Sequence, residues 1–213
     1  MCYTFAMKSS ATSTERTGPS LSSHVRPDRE GTFGFATGRL CLWLAATVGE
    51  RGGEAFDRLQ TPDDLSRWCV QAKLVDTPPQ VMETDLEATR KLREAIYRTG
   101  LARRVGAAPE PEDRGIINFW AAQPPLIPQL SKDGRLCSWT ASPPMPAILA
   151  SIARDAVELF ACPEAERLKI CARTACASLF LDTSHPRQRR WCSMNTCGNS
   201  AKKMAYRGRN TKS

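Results

Sequence analysis

"CARTACASLFLDTSHPRQRRWCSMNTC", residues 171–197, contains two cysteine pairs that predict how the C-terminal part of this chain folds. Each pair has the spacing C-x4-C, and fifteen residues separate the two pairs. Two short pairs joined by a spacer long enough for a hairpin are typical of chains that bring four thiolates around one Zn²⁺. Cys171, Cys176, Cys192 and Cys197 are therefore the predicted metal ligands. Four thiolates complete a tetrahedral shell, so the predicted zinc is structural rather than hydrolytic.

Other interpretations of the thiols are less favoured. The chain has nine cysteines, an odd number, and its N-terminus shows no apolar segment followed by a small-residue cleavage site, so a secreted disulfide scaffold is not indicated. A redox pair normally has the spacing C-x-x-C, which the sequence lacks. Cys41, Cys69 and Cys137 lie in apolar surroundings and are predicted to be small core residues. Cys162 is predicted to be a core residue at a helix end.

The positive charge is concentrated in the C-terminal segment that contains both cysteine pairs. Residues 167–213 carry eleven Lys or Arg and one acid, Asp182, so this segment has a charge of +10 in a chain of net charge +8. Residues 1–166 accordingly carry −2. Such segregation is typical of a surface that binds an acidic partner, most often nucleic acid. A solubilising tail is the alternative, and an ordered zinc framework argues against it.

The composition and patterning divide the chain into three zones. Residues 1–35 are rich in Ser, Thr, Gly and Pro, and we expect a disordered extension there. Residues 36–166 are predicted to form a helical domain, and residues 167–213 a zinc finger with a basic C-terminal helix. The longest apolar runs reach about half of the ~20 residues that span a membrane. We therefore expect a cytoplasmic protein without a transmembrane helix.

Local signals in the middle zone predict helices and one hairpin. Thr61 followed by Pro62 is a strong helix start, because the threonine can cap the first turn and proline is favoured at the first helical position. Asp133-Gly134 is the best turn signal in the chain and predicts a hairpin near residues 126–140. The predicted fold class is mainly α with a small β-hairpin (α+β): a helical N-terminal domain followed by a small treble-clef-like zinc finger with four cysteine ligands.

Within the finger, residues 179–181 are predicted to form a buried strand, and residues 189–192 a second strand returning beside it. Ser193 is a predicted N-cap of the last helix. Positions three and four apart would place one face of this helix toward the zinc and the core. That face comprises Met194, Cys197, Ala201 and Met204.

Polar residues of the finger are the candidate contacts to nucleic acid. Lys and Arg suit phosphates, whereas Asn199, Lys203 and Arg207 share a helix stripe that could approach base edges. A solvated helix face is the alternative interpretation of that stripe. The predicted contacts are Arg187, Arg189, Arg190, Asn199, Lys202, Lys203, Arg207 and Arg209.

The segment "CARTACASLFLDTSHPRQRRWCSMNTCGNSAKKMAYRGR" closely resembles the CGNR zinc finger, a bacterial module that usually ends its signature in Cys-Gly-Asn-Arg. This chain keeps Cys197-Gly198-Asn199 but has Ser200 where that family usually has Arg, which removes one positive group without affecting the ligands. Upstream, "GRLCLWLAATVGERGGEAFDRLQTPDDLSRWCVQAKLV" resembles the helical ABATE domain that accompanies this finger in stress-induced transcription regulators. Ala46 stands where that domain would have Asn. Together the resemblances imply a DNA-binding regulator with one zinc.

Three functions follow from these observations. The first is a transcription regulator that binds DNA through the finger, with the helical domain for sensing or dimerisation. The second is a zinc-stabilised protein- or RNA-interaction module without sequence-specific DNA binding. An enzyme is the weakest, because His24 and His185 are the only histidines and the sequence has no phosphate loop, H-E-x-x-H or G-x-S-x-G motif. We therefore expect no catalytic residues.

Overall fold

The computed structural model describes residues 33–130, 134–135, 137–139 and 144–210. Within these residues the fold is mainly helical, with small antiparallel strand pairs, as predicted. The helices are α1 (Leu40–Ala45), α2 (Pro62–Gln71), α3 (Glu83–Arg104), α4 (Pro111–Ala121), α5 (Met145–Ala161) and α6 (Asn199–Asn210). The strands are β1 (Val48–Gly49), β2 (Phe56–Asp57), β3 (Pro128–Leu130), β4 (Cys137–Trp139), β5 (Leu168–Ile170) and β6 (Leu179–Leu181).

The long helix α3 and the apolar helix α5 form the centre of the helical domain, with α1 and α4 packed against both. Their inward faces bury aliphatic side chains that repeat at helical spacing, such as Leu92 and Ile96 of α3, both 0% exposed. Helix α2 begins as the sequence predicts. Thr61 caps it by accepting a hydrogen bond from the backbone N–H of Asp64, whose carboxylate accepts one from the N–H of Thr61.

A buried ion pair joins α3 to the strand pair β1–β2. Arg93 is only 4% exposed, and its guanidinium donates two hydrogen bonds of 2.7 Å to the carboxylate of Asp57. Its Nε donates to Glu94 at 2.8 Å. A buried charge is tolerated where it is paired in this bidentate way, so the connection between α1 and α2 is fixed on α3.

The packed body includes the last residues of the predicted N-terminal extension. Phe33 is 6% exposed and belongs to the core, and the rings of Phe35 and Trp43 meet edge to face at 5.4 Å. Residues 1–32 of that extension lie outside the described residues.

Strands β3 and β4 pair antiparallel within the segment predicted to form a hairpin. Asp133 lies outside the described residues, whereas Gly134 has φ +68°, a conformation that glycine adopts without strain. Among the described helices, none has the length and apolarity needed to cross a membrane.

Candidate metal centre

Four cysteine sulfurs come together in the C-terminal part of the fold, and they are the four that the spacing predicts. The Sγ atoms of Cys171, Cys176, Cys192 and Cys197 all lie within 4.8 Å of one another. Cys192 Sγ lies 3.6 Å from Cys176 Sγ and 3.7 Å from Cys197 Sγ. Sulfurs about 2.3 Å from a tetrahedral zinc are separated by about 3.8 Å. The cluster therefore fits one structural Zn²⁺ with a complete shell of four thiolates.

Strands β5 and β6 place the first cysteine turn, residues 171–176. They pair antiparallel with Ile170 opposite Leu179, and Cys171 continues from β5 by donating its N–H to Ser178 O at 2.9 Å. The predicted partner of β6 was residues 189–192, and this prediction is wrong. The apolar strand β5 pairs with β6 because both bury leucines in the same core, whereas Arg190 only accepts a backbone hydrogen bond of 2.8 Å from Ala172.

The second cysteine turn, residues 192–197, enters the last helix through a π-helical turn at Met194–Gly198. Ser193 caps it, as predicted, by accepting a hydrogen bond from the Thr196 N–H. The predicted buried face is wrong, however. Cys197 is buried, but Met194 is 46% and Met204 67% exposed. A π turn holds more residues than an α turn, so it shifts the phase of every later side chain.

Two polar side chains contact the sulfurs. Arg173 Nε donates to Cys197 Sγ at 3.4 Å, and Ser178 Oγ lies 3.2 Å from Cys176 Sγ, where its hydroxyl can donate to a thiolate. Burial lowers the pKa of Arg173, but the bond to Cys197 and the charge of the cluster raise it above its ordinary value. Such outer contacts orient the ligands and offset the −2 charge of a four-thiolate zinc centre.

Hydrogen bonds among the thiols shift their pKa values in opposite directions. The bond with Cys171, together with those from the second pair, holds the pKa of Cys176 far below its ordinary value. Its bond with Cys176 raises the pKa of Cys171, but bonds from Cys192 and Cys197 outweigh it and lower the value to about 6. The bonds with Cys171 raise the pKa of Cys192 and Cys197, whose protons a bound Zn²⁺ displaces.

Strand β6 connects the zinc cluster to the helical core. Successive side chains of a strand point to opposite faces. Phe180, fully buried, packs on the four cysteines, whereas Leu179 and Leu181 belong to the main hydrophobic core. Leu179 reaches α3 at Gly100, where an added Cβ would lie 2.2 Å from Leu179 Cδ2. The finger and the helical domain therefore share one strand.

A buried carboxylate, Asp182, holds the segment between the cysteine pairs. It is 0% exposed and accepts hydrogen bonds from Ser184, from the Arg189 backbone N–H and from Lys169 Nζ, the last at 2.6 Å. Burial raises the pKa of Asp182, but the bonds from Lys169, Ser184 and Arg189 outweigh it and hold the value well below the ordinary range. Sequence reasoning used this residue only in counting charge, although a lone acid in a basic segment signals a structural partner.

The structure keeps most of the predicted nucleic-acid contacts on the surface. Asn199 is exposed and donates from Nδ2 to Asn195 O at 3.1 Å. Arg209 lies in α6, and its side chain is outside the part that the structure describes. The exposed cations of the predicted set are Arg187, Arg190, Lys202, Lys203 and Arg207.

Arg189 differs from these residues because its side chain is only half-exposed and makes several contacts within the protein; its role as a nucleic-acid contact stays a prediction. Its guanidinium donates to the backbone carbonyls of Trp191 and Ala36 at 2.8 Å and to that of Cys192. It also lies over the Phe180 ring, 4.9 Å from the centroid. These contacts hold the Arg189 side chain against the finger and the segment before α1.

Comparison with known families agrees with this arrangement. Residues 38–163 match the ABATE family, described as "Putative stress-induced transcription regulator". Residues 167–210 match the CGNR zinc finger. A search of curated proteins finds no match. Since the first match alone spans more than half of the chain, the chain belongs to the ABATE family and carries a CGNR zinc finger after its helical domain.

Proposed function

We propose that the chain is a transcription regulator that binds DNA through its zinc finger. The observation that carries the proposal is where the exposed cations lie. The helical domain contacts the finger beside Cys176, through Gly52 and Tyr97, whereas residues 183–190 and α6 lie mostly on the surface. All five exposed cations named above for the finger lie within residues 183–190 or on α6.

The roles of these residues follow from their chemistry. Arg187 and Arg190 precede the second cysteine turn, where they suit phosphate oxygens and would set the orientation of the finger on the duplex. Lys203 and Arg207 lie one helical turn apart on α6, and Asn199 precedes them on the same stripe, so this stripe is the proposed base-reading surface.

We propose that the helical domain senses a small molecule. An open groove of about 420 Å³ lies between α3 and α4, and its lining includes Ile116, Phe119, Trp120, Glu87 and Glu112. Its volume is within the range of about 300–1,000 Å³ typical of ligand pockets. Dimerisation and the stress-linked role stay predictions, the latter resting on the description of the family.

The alternative function is a protein- or RNA-interaction module. The observation that favours it is the exposure of two large side chains on the basic helix, Met204 at 67% and Tyr206 at 61%. Exposed aromatic side chains can stack on unpaired bases. A competition between structured RNA and duplex DNA separates the two functions.

The prediction that the chain is not an enzyme also stays a proposal. It is supported by the four-sulfur shell, which leaves no position for a reactive water. Zinc bound by three sulfurs and a water in a spectroscopic measurement would contradict it.

The test of DNA binding is a salt titration of the zinc-loaded chain on duplex DNA, followed by fluorescence anisotropy. If all five cations neutralise phosphates, log K falls against log salt with a slope of about −4.5. Lys203→Ala should make that slope shallower by about 0.9, whereas Lys91→Ala, on the exposed side of α3, should leave it unchanged. A flat slope for the wild type would contradict the proposal.

A further inference from the structure

We propose that the helical domain is part of the zinc centre: the loop of residues 50–53 and Tyr97 hold the first cysteine turn in place and set how tightly the chain retains zinc. The inference goes beyond DNA binding and does not depend on it. It rests on contacts that reach the finger on both sides of one ligand, Cys176.

The first contact joins two backbones. The N–H of Gly52 donates to Ala175 O at 3.1 Å. A Cβ at position 52 would lie 2.0 Å from Thr174 O, so this approach requires glycine. The loop that follows β1 therefore lies directly against the residue before Cys176.

The second contact comes from α3. Tyr97 Oη donates to Ala177 O at 2.9 Å. Ala177 has φ +46°, a left-handed conformation that a non-glycine residue holds only when its surroundings fix it. Tyr97 is itself fixed, because the guanidinium of Arg51 lies 4.0 Å from its ring centroid and forms an ion pair of 2.8 Å with Glu94. The carbonyls on either side of Cys176 thus both accept a hydrogen bond from the helical domain.

The third contact is electrostatic. Glu50 Oε1 lies 3.4 Å from both terminal nitrogens of Arg173, and Arg173 Nε donates to Cys197 Sγ at 3.4 Å. A carboxylate of the helical domain therefore orients the guanidinium that contacts a ligand of the second pair. Groups hydrogen-bonded to metal ligands orient those ligands, and Arg173 is such a group.

The rate of zinc release tests the inference. The zinc-loaded full chain is mixed with excess chromophoric chelator, and the absorbance of the zinc–chelator complex is followed. Gly52→Ala should release zinc about 10-fold faster, since outer contacts of metal sites typically contribute 10- to 100-fold in affinity. Glu50→Gln and Tyr97→Phe keep the shape of the side chain and should each release zinc about threefold faster, less than that range because each variant loses one contact only.

Two matched variants control for charge and backbone changes. Glu54→Gln removes the same charge from the exposed residue that follows this loop. Gly34→Ala adds a methyl group where nothing lies within 4 Å. Both should release zinc at the wild-type rate.

Reciprocity gives a second readout, because two coupled sites must affect each other equally in free energy. Removal of zinc should therefore speed hydrogen exchange at the Gly52 amide, which lies in the helical domain. Should Gly52→Ala fail to fold, the other two variants and this exchange measurement decide. Release within twofold of the controls in Glu50→Gln and Tyr97→Phe, or unchanged exchange at Gly52, would overturn the inference; a lower melting temperature with normal zinc release would mean a merely structural contact.

Discussion

Removing zinc should unfold the finger and leave most of the helical domain folded. Without the metal, the finger has one fully buried large side chain of its own, Phe180, with Trp191 partly buried beside it. Burying a phenylalanine contributes about 1.5–3 kcal/mol. Structural zinc contributes about 10–16 kcal/mol of apparent folding free energy in small fingers, several times more. The helical core, by contrast, is a separate and larger cluster, to which α1 to α5 contribute most of the buried side chains.

The assay is hydrogen exchange on the chain before and after chelation, with Cys171→Ser/Cys192→Ser as a variant that cannot complete the shell. Amides of the two cysteine turns, residues 171–176 and 192–197, should lose protection in both cases, whereas those in the middle of α3 and α5 should keep it. Metal content by mass spectrometry should fall from about one zinc per chain to none in the variant. Persistent protection of the Cys171 amide after complete zinc removal would refute the reasoning.

Three further predictions concern single side chains. Asp182→Asn should destabilise the finger by about 3 kcal/mol at neutral pH, because it removes the charge from a buried ion pair. The pKa of Asp182 is lower in the folded chain than the value of about 3.9 in the unfolded chain, so the carboxylate stabilises the fold fully above that unfolded pKa. This stabilisation is lost as the pH falls through the folded pKa. In urea titrations the variant should lack this part of the acid dependence. Gly100→Ala should destabilise the folded chain by about 1 kcal/mol, because the new methyl group is crowded in the core. Gly115→Ala has open space around the new methyl group and should stabilise α4 by about 0.5–1 kcal/mol. Thermal melts check both values. Arg189→Ala should destabilise by about 2 kcal/mol, whereas Arg187→Ala should change stability by less than about 0.5 kcal/mol and only weaken DNA binding; denaturant melts and the salt titration separate the two.

The ligands of the zinc could be predicted from the sequence because the spacing that identifies them lies within a few residues. Each C-x4-C pair lies within one turn, and four sulfurs meeting one cation is the chemical outcome that such spacing favours. The same reasoning could predict the cap at Thr61, where the two partners are three residues apart. Contacts within a few residues need no knowledge of the tertiary fold.

Other features depended on tertiary contacts and could not be predicted in this way. The helical face of Met194 and Met204 was derived from an α-helical period, and the π turn before α6 changes that period. Arg189 is of a residue type that often contacts phosphates, but its guanidinium donates a hydrogen bond to the carbonyl of Ala36, 153 residues away in sequence. Strand β6 was recognised as buried, yet only the fold shows that its buried residues face two different cores.

That division of β6 bears on how signals could pass between the two parts. The two family matches are separated by three residues in sequence, at 164–166, which would ordinarily suggest two modules joined by a linker. Here those residues form a short 3₁₀ turn, Pro163–Arg167, whose Ala165 is fully buried in the helical core. Leu179 and Leu181 enter that core while Phe180 contacts the sulfurs, so a shift of β6 moves both cores together. A ligand that changed the packing of α3 would act on β6 at Gly100 directly, and the finger would respond without a separate hinge.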